Sequence, residues 1–212
     1  MFLLRDPLLI LYTAVALLIG LAVHEASHAF TADQLGDPTA RSLGRLTLNP
    51  LAHLDPAGAF VLIISSLAGF GIGWGKPVPV NPRNLTRGFL KNLSNGPLVG
   101  MAIVALAGPV SNLIMAIIGT QVLTATPLPE EFIGRFILVN VVLAVFNLIP
   151  IPPLDGYRVL LGILPTGPAY SLARLEPWGP GVLILLVFLA PGVLNGILSV
   201  ASRPILHFIG AF

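Results

Sequence analysis

The chain has 212 residues, of which 55% are hydrophobic and only 9% charged, with a mean hydropathy of +0.91. A soluble domain carries about 25% charged residues, so a single soluble globule is excluded and an all-α polytopic membrane protein is expected. The net charge of +2 is spread thinly, with no basic block for nucleic acid, and the absence of cysteine excludes disulfides and thiolate ligands.

In chain order, residues 8–30 form the first predicted membrane helix, with Pro7 at a plausible first turn. The segment ends in a metal-binding pattern, not a small-residue cleavage site, and reads as a retained helix. Residues 33–56 are polar and punctuated by Gly and Pro, and the weak alternation over 41–49 predicts a small β element. Residues 57–73 are apolar but short for a full crossing. Residues 74–96 are a basic, Pro-rich loop in which 77–82 read as extended backbone. A membrane helix follows over 97–124, interrupted at Gly108-Pro109, and another over 132–149. A short amphipathic helix is expected near 157–164, and a last apolar span over 181–200, interrupted at Pro191-Gly192.

Loops 33–56, 74–96 and 151–178 carry Lys and Arg, whereas the turn at 127–131 is acidic. The positive-inside rule puts the three basic loops in the cytoplasm. Loops on both sides of 57–73 then share one compartment. That segment is therefore expected to be re-entrant or half-depth, giving four full spans, with five as the alternative.

His24-Glu25-Ala26-Ser27-His28 closes the first helix. Two imidazoles at i and i+4 lie on one helix face and can share one Zn²⁺, with the intervening carboxylate free to act as general base. At the end of an apolar segment such residues are costly and point to function. A catalytic zinc needs a third protein ligand. Asp155 is the carboxylate near a membrane-helix end with unusual backbone around it, in Asn147-Leu-Ile-Pro-Ile-Pro-Pro-Leu-Asp155-Gly156. An Asp-Gly turn in which Asp155 merely caps a helix is the competing reading. His53 and Asp55 form a second polar pair, suited to fixing loop geometry around the site. Asn112 and Asn140 lie in membrane helices and suit interhelical hydrogen bonds. His207 reads as an interfacial residue.

The two motifs together, HEASH at 24–28 and NLIPIPPLDG at 147–156, resemble the site-2 proteases, the intramembrane zinc metalloproteases. Gly108-Pro-Val-Ser-Asn112 resembles that family's middle core helix, and the 49–56 loop and Lys76-Pro-Val-Pro-Val80 resemble a compact prokaryotic branch. The resemblance covers residues 22–160. It implies one domain over 1–212, with the catalytic core at 8–160 and no appended regulatory domain. It also implies one Zn²⁺ per chain held by His24, His28 and Asp155, Glu25 as base, Asn147 as a donor to the substrate, and His53, Asp55 and Asn112 around the ligands. The implied partners are a transmembrane helical substrate and the lipid bilayer, in a multi-pass cell-membrane protein whose site faces the cytoplasm. A non-proteolytic polytopic protein and a metal transporter using the same residues are the alternatives.

Overall fold

A computed structural model describes residues 6–55, Gly58 and 75–211. The described chain is mostly helical: α1 (Pro7–Gln34), α2 (Thr39–Ser42), α3 (Gly96–Ala125), α4 (Glu130–Asn147), α5 (Asp155–Ile163), α6 (Thr166–Ala173), α7 (Gly179–Leu189) and α8 (Pro191–Phe208). Asp6 caps α1 by accepting from the Leu8 amide at 2.9 Å, and Pro7 occupies the first turn, where it needs no amide partner. Past α1 the chain turns at Gly36 with φ +112°, which favours glycine.

Helix α3 is the hub, packing on α1, α4 and α5, while α1 also packs on α4 and α8 on α4. Ala116, Ile133, Ile137, Val141, Val145 and Leu206 form the core where α3, α4 and α8 meet. A second cluster of Ala32, Leu85, Leu90 and Val104 fixes the basic loop against α1 and α3. The molecule is apolar outside and partly polar within. Leu8, Leu11, Ile114 and Ile118 are exposed, whereas His24, Asn112 and Asn140 are buried. That distribution suits a hydrocarbon surround, in which helices are glued by interior polar contacts.

Among the described residues, three helical segments are long and apolar enough to cross a membrane: Pro7–Gln34, Gly96–Val122 and Thr166–Leu189. The span expected over 132–149 is helical as α4, but Glu130, Glu131 and Arg135 make it more charged than the other three. The last span, expected over 181–200 with an interruption at Pro191-Gly192, is two helices, the chain breaking at Ala190 before Pro191. Gly108-Pro109 does not interrupt α3, which runs continuously through both residues. The re-entrant helix expected over 57–73 lies, apart from Gly58, outside the described residues.

The β element expected over 41–49 is not a strand. Residues 39–42 form α2, and Arg45 is buried with its guanidinium bound to the Lys76 carbonyl at 2.5 Å, so strand alternation is lost. Among the described residues the β pairing is a single antiparallel bridge between Leu54 and Gly75. Residues 76–81 lie outside any helix, and the extended backbone expected over 77–82 ends at Asn81 (φ −99°, ψ 105°), because Pro82–Asn84 form a 3-10 helix. Asp37, fully buried, ties this region together by accepting from the Thr39 hydroxyl (2.5 Å), the Asn81 amide (2.6 Å) and the Asn84 side chain (2.9 Å). Burial alone would raise its pKa, but the hydrogen bonds from Thr39, Asn84 and Asn81 outweigh it and hold the carboxyl below its ordinary value.

Candidate metal centre

Helix α1 brings His24 and His28 to one face, one turn apart, with ring centroids 4.6 Å from each other and planes at 87°. The third group comes from the proline-broken segment after α4. Its Pro152–Pro153 bond is cis, and α5 begins at Asp155, where a carboxylate suits the helix N-terminus. Gly156 follows because a Cβ there would strike the Leu148 carbonyl, so the turn packs against its own helix end. Asp155 Oδ2 lies 3.0 Å from His24 Nε2 and 3.3 Å from His28 Nε2. One ligand atom from each of these residues lies within 4.8 Å of the other two.

The surrounding hydrogen bonds fix which ring nitrogens face this centre. Asn140 donates from Nδ2 to the Phe136 carbonyl (2.9 Å), which turns its Oδ1 toward Asn112. Asn112 Nδ2 then donates to Asn140 Oδ1 (2.9 Å) and to the Gly20 carbonyl (3.0 Å). Asn112 Oδ1 is left as an acceptor 2.6 Å from His24 Nδ1, so the proton of His24 belongs on Nδ1. The Val104 carbonyl, 2.7 Å from His28 Nδ1, imposes the same tautomer. Both Nε2 lone pairs then point at Asp155 Oδ2. Three acceptors converge with no donor among them, an arrangement that a divalent cation stabilises and that suits Zn²⁺ by ligand type. The donor set fits the metal.

Gly108 completes the cradle. A Cβ at this position of α3 would lie 2.5 Å from His24 Nε2 and 2.6 Å from the Cε1 atoms of His24 and His28. The backbone of α3 thus approaches the ring edges directly. Reading Gly108-Pro109 as a helix breaker missed this; the Gly-Pro-Val-Ser-Asn spacing, which puts Gly108 and Asn112 on one face of α3, was the available signal.

The ligand group opens on a cavity of about 430 Å³ that also exposes Glu25, Asn147 and Arg158. Glu25 Oε2 accepts from the Val78 amide at 3.1 Å, which sets the carboxylate beside the extended segment 76–81. Asn147, at the C-terminal end of α4, donates from Nδ2 to the Leu143 carbonyl at 3.0 Å, leaving its second amide hydrogen. His53 is not in the ligand group. Its ring is fully buried with Nε2 2.8 Å from the Thr47 carbonyl, and its own carbonyl accepts from the Lys76 amide at 2.8 Å. Asp55 accepts from the Gly58 amide at 2.9 Å. Of the two, His53 touches the segment that carries Val78 to Glu25, through its carbonyl. Arg45 was not among the expected site residues, yet it anchors the same segment at Lys76. His207 lies in the last turn of α8.

Comparison with known proteins adds relatives along most of the chain. "Putative zinc metalloprotease YwhC" of Bacillus subtilis (strain 168) is 37% identical over 193 residues, covering 85% of this chain and 81% of that protein. "Putative zinc metalloprotease Rip2" of Mycolicibacterium smegmatis is 34% identical over 187 residues, covering 84% of this chain and 66% of that protein. The protein of that name in Mycobacterium tuberculosis (strain H37Rv) is 34% identical over 188 residues, with the same two coverages. No family model and no solved structure matches the chain.

Proposed function

The chain belongs to the site-2 protease family of zinc metalloproteases, and from that premise we propose that it hydrolyses peptide bonds within or near the transmembrane segments of other membrane proteins. The observation that carries this reading is the convergence of His24 Nε2, His28 Nε2 and Asp155 Oδ2 in one cavity with the Glu25 carboxylate. In this reading His24, His28 and Asp155 hold one Zn²⁺ per chain. When bound, the zinc supplies Lewis acidity to the water and to the carbonyl under attack.

Glu25 carries the proton. The Val78 amide holds one carboxylate oxygen, leaving the other to accept a proton from the attacking water. The oxygen of that water adds to the carbonyl carbon, the C–N bond breaks, and Glu25 returns the proton to the leaving amine. The second amide hydrogen of Asn147 is available to the oxygen on which negative charge develops. A helix has its amides already paired, so the substrate must reach the cavity unwound. Segments 46–49 and 76–81, which lie outside any helix, offer main-chain partners to such a strand. The basic loops favour a multi-pass protein in the cell membrane with its site toward the cytoplasm.

The test is the pair His28→Ala and Glu25→Gln, assayed for bound zinc and for cleavage of a reporter transmembrane substrate in bilayers. His28→Ala is expected to lose both. Glu25→Gln is expected to keep about one zinc per chain and lose turnover. Cleavage by Glu25→Gln at the wild-type rate would remove Glu25 as base, and full zinc retention by His28→Ala would remove the ligand set.

A further inference from the structure

The cavity carries one charged side chain that neither zinc binding nor proton transfer uses, Arg158. It follows Asp155 by three residues on α5, so both project from one face of that helix. Around it the described lining is largely apolar, with Val78, Val80, Leu154, Leu183 and Ile184. The two carboxylates in the lining, Glu25 and Asp155, are committed to the Val78 amide and to the two imidazoles.

Arg158 faces Glu176, at Nη2 to Oε1 3.6 Å, with the side chains 34% and 48% exposed. That distance is too long for a charge-assisted hydrogen bond, and an ion pair so exposed contributes little. The guanidinium therefore keeps its fork of donors for a better acceptor, and a carboxylate in a poorly hydrated cavity is the matching group.

We propose that Arg158 is a specificity-determining residue that binds an acidic side chain of the substrate close to the cleaved bond. The inference rests on the protease reading above. Three residues of helix advance about 4.5 Å, the length of one to two residues of extended chain at about 3.3 Å each. The acidic residue accordingly stands within about three positions of the bond that is cut. An otherwise apolar segment carrying one such acid matches the lining, whereas a basic residue there meets Arg158 with like charge.

The test uses the full chain in bilayers. The cut position in a reporter transmembrane substrate is mapped by mass spectrometry, and Glu, Gln or Lys is then placed at each of the three positions on either side. At one or more positions the wild type is expected to favour Glu over Gln by about tenfold in kcat/KM, the scale of one charge-assisted pair. Arg158→Gln should bring that ratio to about one, Arg158→Lys should keep part of it, and Arg158→Glu should turn the preference toward Lys. Because each ratio is taken within one variant, a general loss of rate or stability does not alter it. Cleavage with no Glu preference at any position, or a preference that survives Arg158→Gln, overturns the inference alone. Failure of the wild type, loaded with zinc, to cut any member of the set overturns the protease reading and the inference with it.

Discussion

Replacing Gly108 by alanine adds a single methyl group at the point where α3 meets both imidazoles. The new carbon would lie 2.5 Å from His24 Nε2 and 2.6 Å from His28 Cε1, whereas ordinary contact begins at 3.4 Å. The rings cannot yield independently, because Asn112 and the Val104 carbonyl hold their Nδ1 atoms at 2.6 and 2.7 Å. Overpacking of this kind costs about 1–3 kcal/mol, partly offset by about 1 kcal/mol of helix propensity gained from Gly to Ala. Stability without metal should therefore fall by no more than about 2 kcal/mol. Zinc binding should suffer more, since misplacing even the groups behind the ligands costs about 10- to 100-fold in affinity. At fixed zinc, each tenfold loss removes about 1.4 kcal/mol of metal-linked stabilisation. The assay is thermal unfolding with and without saturating zinc, alongside zinc competition with a chelator. Gly134→Ala is the matched control: it lies in α4 with nothing within 4 Å of its added carbon, and should leave zinc binding unchanged. Wild-type zinc affinity in Gly108→Ala would show that α3 does not set the ring positions and refute the reasoning.

Asn112→Ala should lower zinc affinity by about 10- to 100-fold, and strand the buried Asn140 Oδ1 at about 1–3 kcal/mol, read by zinc competition and by melting. Asn147→Ala should retain zinc and lower kcat by about 10²-fold if its free amide hydrogen serves the developing oxyanion; normal turnover with reduced stability would mark it as structural. Asp37 has a depressed pKa in the folded chain, so its contribution is fully present above the ordinary carboxylate range, about 4, and is lost as pH falls through the folded value. Asp37→Ala should cost about 2–4 kcal/mol at neutral pH and flatten the acid limb of a stability-versus-pH curve. In this naturally cysteine-free chain, Ser42→Cys, Asn84→Cys and Thr166→Cys should label from the cytoplasmic side and Pro129→Cys from outside.

The helix ends and the facing of His24 and His28 were legible because local chemistry sets them. Asp6-Pro7 starts α1, Gly36 follows its end, and the i, i+4 spacing alone puts His24 and His28 on one face. Asp155 was legible through the prolines before it, which prevent α4 from continuing. What failed depended on contacts between distant segments. Gly108 looks like a breaker until α1 is packed against it. The alternation over 41–49 has the period of a strand, but burial of Arg45 against Lys76 outweighs that weak preference. The break near Pro191, by contrast, was legible from the proline itself. Arg158 gave no signal in one dimension, because its cavity is assembled from α1, α5, α7 and the extended segment.

The extended segment beside Glu25 alternates proline and valine: Pro77, Val78, Pro79, Val80. Successive amides of an extended chain point to opposite sides. The amides of Val78 and Val80 therefore share the side that meets Glu25, and the opposite side, at Pro77 and Pro79, has no N–H to give. A strand that can be paired from one side only cannot become an interior strand of a growing sheet. The prolines thus confine the segment's main-chain donors to one side, which keeps it from becoming an interior strand between neighbouring copies.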